Sequence, residues 1–136
     1  MSTSPNLDAW HHVVRSRDTA ALAHLLAEDV VFHSPVVHTP QRGKTITLQY
    51  LLGAMQVLNT AQFRYEREIV GEQEALLEFT TEIDGILING VDLIQWNDAG
   101  QIIDFKVMLR PLKAVNLVHQ KMGEMLQRLQ VPGGKP

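Results

Sequence analysis

Four stretches in the second half of the chain, residues 63–70, 75–84, 91–96 and 101–109, each have the composition of a β-strand, and turn sequences connect them. Strands joined by tight turns run antiparallel, because a parallel neighbour needs a crossover of a dozen or more residues. An antiparallel meander follows, with Asn89-Gly90 and Asn97-Asp98-Ala99-Gly100 as turns and with Gly71 and Gly85 interrupting the strand pattern. Ahead of it, apolar residues recur at helical spacing over residues 7–14 and 19–27, where Ser4-Pro5 and Asp18 are placed to start two helices. Residues 29–37 are rich in β-branched side chains and broken at Pro35, so they read as a short strand running into a loop.

A third helix, capped by Thr45, is expected to reach about Leu58, with Leu48, Leu51, Leu52, Met55 and Leu58 facing the core. Ile46 and Tyr50 border that stripe, within reach of a pocket. After Arg110-Pro111 a final helix carries an apolar stripe through Val115, Val118, Met122, Met125, Leu126 and Leu129, which reads as core, dimer contact or lid. The tail 131–136 is expected to fray. Three helices followed by a meander define an α+β fold, and residues 1–136 suffice for a single domain.

Charge and residue usage narrow the chemistry. A net charge of -3, from 12 basic and 15 acidic residues dispersed along the chain, leaves no basic stripe for nucleic acid. The sequence has no cysteine, so disulfides, thiolate nucleophiles and cysteine-bound metals are excluded. Without a signal-peptide pattern or an apolar run of membrane-spanning length, the chain reads as cytoplasmic and not membrane-bound. Asp8 with His12, and His24 with Glu28, have helical ligand spacing, but each is a two-ligand pair with no HExxH pattern to support it. No metal site is expected. Gly43-Lys44-Thr45 lacks the upstream glycine of a P-loop.

Asp92 is the first candidate for chemistry, because it lies in the mostly apolar strand VDLIQW and shares a face with Ile94 and Trp96. If that face lines an interior, the carboxyl is desolvated, its pKa rises, and it donates a hydrogen bond as a neutral acid. Facing outward, it is an ordinary carboxylate. His33, where a strand leaves the sheet before Pro35, is a candidate general base or acid, with His38 in the loop beside it. Glu66 and Glu68 share a face with Arg64, as Glu78 does with Glu82, and these read as cross-strand ion pairs on a solvated surface.

The order of these elements, with LLAEDVVFHSP from Leu25, RGK from Arg42 and VDLIQWNDAGQIIDFKV from Val91, resembles the NTF2-like (SnoaL-like) superfamily up to about Arg110. The resemblance implies a cone: a curved antiparallel sheet wrapped around the N-terminal helices, here with an added C-terminal helix. Within that superfamily the chain is distantly similar to the steroid Δ5-isomerases. Asp92 falls where those enzymes keep a protonated aspartic acid in the oxyanion hole, Trp10 where they have its tyrosine, and Ser34 where they have the general-base aspartate. Serine cannot serve as that base, which leaves His33 or His38 to supply it.

The expectation is therefore a protein for a small apolar ligand, with no cofactor. It acts by proton transfer as an isomerase, cyclase, dehydratase or hydrolase, or it is a non-catalytic binding or dimerisation module. Asp92 and His33 would be catalytic, and Trp10, Ser34, His38, Tyr50, Trp96 and Met108 would contact the ligand. The resemblance also implies a homodimer.

Overall fold

Local capping starts the first two helices where the sequence places them. The fold is that of a computed structural model describing residues 4–129, and the tail expected to fray lies outside the described residues. Helix α1 (Pro5–Ser16) begins with the Ser4 hydroxyl accepting from the Leu7 amide at 3.2 Å, and Pro5 occupies the first turn, where an N–H has no helical partner. Helix α2 (Thr19–Leu25) begins with Asp18 Oδ1 accepting from the Ala21 amide at 3.1 Å. The remaining elements are β1 (Leu26–His33), β2 (Gln41–Arg42), α3 (Lys44–Leu58), β3 (Arg64–Val70), β4 (Glu74–Ile83), β5 (Ile86–Trp96), β6 (Ile102–Arg110) and α4 (Leu112–Arg128).

The six strands form one curved, unclosed sheet in the order β2-β1-β6-β5-β4-β3. Strands β3 to β6 are the antiparallel meander. Strand β1 lies parallel to β6, with Phe32 opposite Phe105 and His33 opposite Lys106, so a single parallel pair joins the first half of the chain to the second. Strict alternation along β4 and β5 buries Ala75, Leu77, Phe79 and Thr81, and Ile88, Gly90, Asp92, Ile94 and Trp96. Leu7, Trp10 and Val13 of α1, Tyr50 and Leu51 of α3, and Val118 and Leu126 of α4 join that one face in a continuous core. An α+β architecture results, as the pattern of elements predicts.

Several local expectations are corrected. The two-residue hairpin turn is Asp84-Gly85, with φ of 52° and 78°, while Asn89-Gly90 lies within β5. Gly90 is there for space: a Cβ would come within 2.6 Å of both Phe79 and Leu109. Thr45 does not cap α3, which starts at Lys44 behind Gly43 without a side-chain cap. Strand β1 ends at His33, so residues 34–37 are loop. A bulge between Tyr65 and Arg67 interrupts alternation in β3. Arg64 and Glu66 pair at 2.6 Å on the outer face, whereas Glu68, opposite the buried Leu77, turns to α1 and lies 2.5 Å from His11 Nε2. The expected common face of Arg64, Glu66 and Glu68 does not form.

Candidate functional site

Among the described residues, Asp92 joins Thr47 and Thr81 as the buried polar or charged side chains, its own exposure being 7%. Alternation along β5 places it on the inner face with Ile94 and Trp96, surrounded by apolar side chains. Ionising it there forfeits hydration, so burial raises its pKa from 3.8 to about 7, against the smaller lowering effect of a hydrogen bond from Tyr65.

That hydrogen bond runs from Tyr65 Oη to Asp92 Oδ2 at 2.8 Å, and Trp10 Nε1 donates in turn to Tyr65 Oη at 3.0 Å. Burial, then the neighbouring Asp92 charge, holds the Tyr65 hydroxyl well above its ordinary pKa, so it stays protonated and remains a donor. Trp10 of α1, Tyr65 of β3 and Asp92 of β5 thus form a directional chain ending on Oδ2. A neutral Asp92 can carry its proton on Oδ1.

This chain stands at the wall of a small apolar cavity of about 50 Å³, which Phe63, Phe79, Phe105 and Leu51 also line. A second small pocket, or lobe, of about 40 Å³ has part of its wall in common with the first and is lined by Phe32, Ser34, Tyr50, His119 and Met122 among others. The two lobes share Ala54, Leu58 and Val107, and Val107 lies directly across the ladder from Asp92. Helix α4 covers the second lobe with Val118, His119, Met122 and Leu126. Gly53 of α3 faces α4, where a Cβ would sit in ordinary van der Waals contact, 3.4 Å from side-chain atoms of Met122 and Met125.

The residues singled out from the sequence divide between these lobes and other places. Asp92 and Trp10 meet in the first lobe. Ser34 and Tyr50 line the second; the Ser34 hydroxyl accepts from the Val36 amide at 3.1 Å, and burial raises the pKa of the Tyr50 hydroxyl.

His33 is not brought to Asp92. Phe32 points inward, so its neighbour His33 points to the outer face, where Nε2 lies 3.0 Å from Asp104 Oδ2. Met108, half exposed, is on that outer face as well, and Val107 forms the wall instead. His38 is exposed in the loop after β1, and Trp96, although buried, lines neither lobe.

Two residues were not singled out from the sequence. Tyr65 carries the signal of a tyrosine between Arg64 and Glu66, which turns inward once those face solvent. His119 lies four residues after Val115 and three before Met122, on the border of an apolar stripe. Among the described residues no three His, Asp or Glu side chains are grouped to hold a metal ion. No helix there is long and apolar enough to cross a membrane.

The model of the SnoaL-like domain matches residues 7–105. The chain belongs to the SnoaL-like family. Solved structures agree with that membership. This SnoaL-like chain is similar to a steroid delta-isomerase from Pseudomonas aeruginosa, at 31% identity and a TM-score of 0.86, over 92% of this chain and 91% of that one. It is equally similar in sequence, at 31%, to an uncharacterised protein with a cystatin-like fold from Silicibacter pomeroyi, with a TM-score of 0.83 over 96% and 89% of the two chains. An NTF2-like protein of unknown function from Mesorhizobium loti shares the fold at 21% identity, with a TM-score of 0.67 over 78% and 88%. No curated protein matches the SnoaL-like chain.

Proposed function

We propose that this SnoaL-like protein takes up a small, largely apolar molecule bearing a carbonyl oxygen and shifts a proton on it, with Asp92 donating a hydrogen bond to that oxygen. The observation that carries this reading is a buried carboxyl, pushed up to about 7, set in the wall of an apolar cavity and held by Tyr65. A neutral acid so placed binds a carbonyl weakly and an enolate strongly, because its hydrogen bond strengthens as negative charge grows on the oxygen. The similarity to a steroid delta-isomerase supports the same class of reaction.

Both lobes are far below the roughly 300–1,000 Å³ of ordinary ligand sites, so α4 must shift to admit a ring compound. The substrate class is accordingly a compact cyclic ketone, and homodimerisation, implied by the family resemblance, is checked by sedimentation.

The test follows a β,γ-unsaturated cyclic ketone by ultraviolet absorbance as it becomes conjugated. Asp92→Ala should lower turnover about 10²- to 10³-fold, the effect of deleting one oxyanion donor. A wild-type protein that neither turns over such ketones nor binds 2-naphthol, an analogue of their enols, contradicts the proposal.

One observation favours a second reading. Among the described residues lining the Asp92 lobe, no other side chain offers a base. In a non-catalytic binding protein, 2-naphthol would bind in an Asp92-dependent way and no ketone would turn over.

A further inference from the structure

We propose that His119 of α4 is the group that moves the proton, taking it from the carbon next to the carbonyl that Asp92 receives. This rests on the proton-transfer reading above.

His119 lines the second lobe, and its Nε2 is buried without a hydrogen-bond partner. Buried imidazole nitrogens are ordinarily paired, and an unpaired one calls for a partner that the protein itself does not supply. The second lobe, which His119 lines, is the side from which such a partner would reach it once α4 shifts. The two lobes have Ala54, Leu58 and Val107 as common wall, and Val107 is opposite Asp92 in the sheet, so a molecule that displaces these side chains would touch both Asp92 and His119.

Competing bases are accounted for. His33 is engaged by Asp104 on the outer face, and His38 is exposed outside both lobes. Ser34 and Tyr50 offer only hydroxyls, too weakly basic for the task. Among the described residues lining the two lobes, Asp92 and His119 are the acid and the imidazole.

The step balances without a further reactant. The Nε2 lone pair of the neutral imidazole takes the proton, the C–H electron pair becomes the enolate double bond, and the carbonyl π pair moves onto the oxygen held by Asp92. The imidazolium then returns the proton to the same carbon or to the far end of the double bond, and the carbonyl re-forms.

Deuterium exchange into 2-tetralone in heavy water, followed by proton NMR, reads this step, and 2-naphthol binding reads the Asp92 lobe separately. His119→Gln should lower the protein-dependent exchange roughly 10²-fold or more, with 2-naphthol affinity and melting temperature held near wild type. Added imidazole should restore part of the exchange to His119→Ala, which a packing role would not allow.

Exchange by His119→Gln at the wild-type rate overturns the assignment while leaving the Asp92 reading in place. So does a wild-type protein that binds 2-naphthol through Asp92 but exchanges nothing. Loss of binding and exchange together, without imidazole rescue, makes His119 a packing residue and overturns it as well. A wild-type protein that neither binds nor exchanges takes the underlying reading down too.

Discussion

Asp92 ties the candidate site to the stability of the fold. Its carboxyl has an ordinary pKa of 3.8 in the unfolded chain and about 7 when folded, so between those values the folded state holds the proton more tightly. The resulting stabilisation is fully present below about pH 4 and is lost as pH rises through about 7, amounting to something on the order of 4 kcal/mol. Asp92→Asn keeps an acceptor for Tyr65 and has no charge to bury. Urea unfolding at about pH 4 and about pH 8 should therefore show a pH-dependent loss in the wild type that is smaller by that amount in Asp92→Asn. Tyr65→Phe acts differently: it removes the donor that restrains the Asp92 pKa, which climbs further, and it strips the Trp10 indole of its acceptor. A loss of about 1–3 kcal/mol in chemical unfolding is expected. Period-two alternation made the inward face of Asp92 legible. It also turns His33 outward once Phe32 is in the core, so those two neighbours could not both reach the cavity. The Tyr65 contact was harder to read, because the bulge at residues 65–67 sets the β3 register and has no short-range signature.

At the scale of elements, what is local was legible and what is distant was not. Ser4, Pro5 and Asp18 act within one turn of themselves, so the starts of α1 and α2 follow from the sequence, whereas the cap expected at Thr45 does not form. Asn-Gly and Asp-Gly are equally good hairpin signals, and only tertiary packing separates them: Asp84-Gly85 takes the turn while Gly90 lies opposite Phe79 and close to Leu109. Gly90→Ala should consequently destabilise by about 1–3 kcal/mol through overpacking, and Gly85→Ala by about 1 kcal/mol through its positive φ. Denaturation of the two variants checks the ranking, and equal losses would contradict this division of roles. The parallel pairing of β1 with β6 joins segments about seventy residues apart, with Phe32 against Phe105, and no local pattern announces it.

For the whole molecule, the order of helices and strands was enough to read an α+β fold and the family resemblance implied the curved sheet, whereas the closure of the interior by α4 depends on side-chain packing between distant elements. A Cβ at Gly53 of α3 would lie 3.4 Å from Met125 Cγ of α4, and the native chain has no cysteine to interfere with an engineered bridge. A Gly53→Cys, Met125→Cys protein should bind 2-naphthol slowly when oxidised and recover on reduction, as stopped-flow fluorescence would show; equal rates in both states would mean that entry does not need α4 to move. The claim on which the whole account rests is that Asp92 is an acid that keeps its proton up to about pH 7 within a working cavity. Its most direct test is the carbon-13 NMR titration of the Asp92 carboxyl, assigned with Asp92→Asn, with and without 2-naphthol. The account predicts a midpoint at about 7 that rises when 2-naphthol binds, because the ligand oxygen accepts from the protonated form. A midpoint near 3.8, indifferent to 2-naphthol, would contradict it.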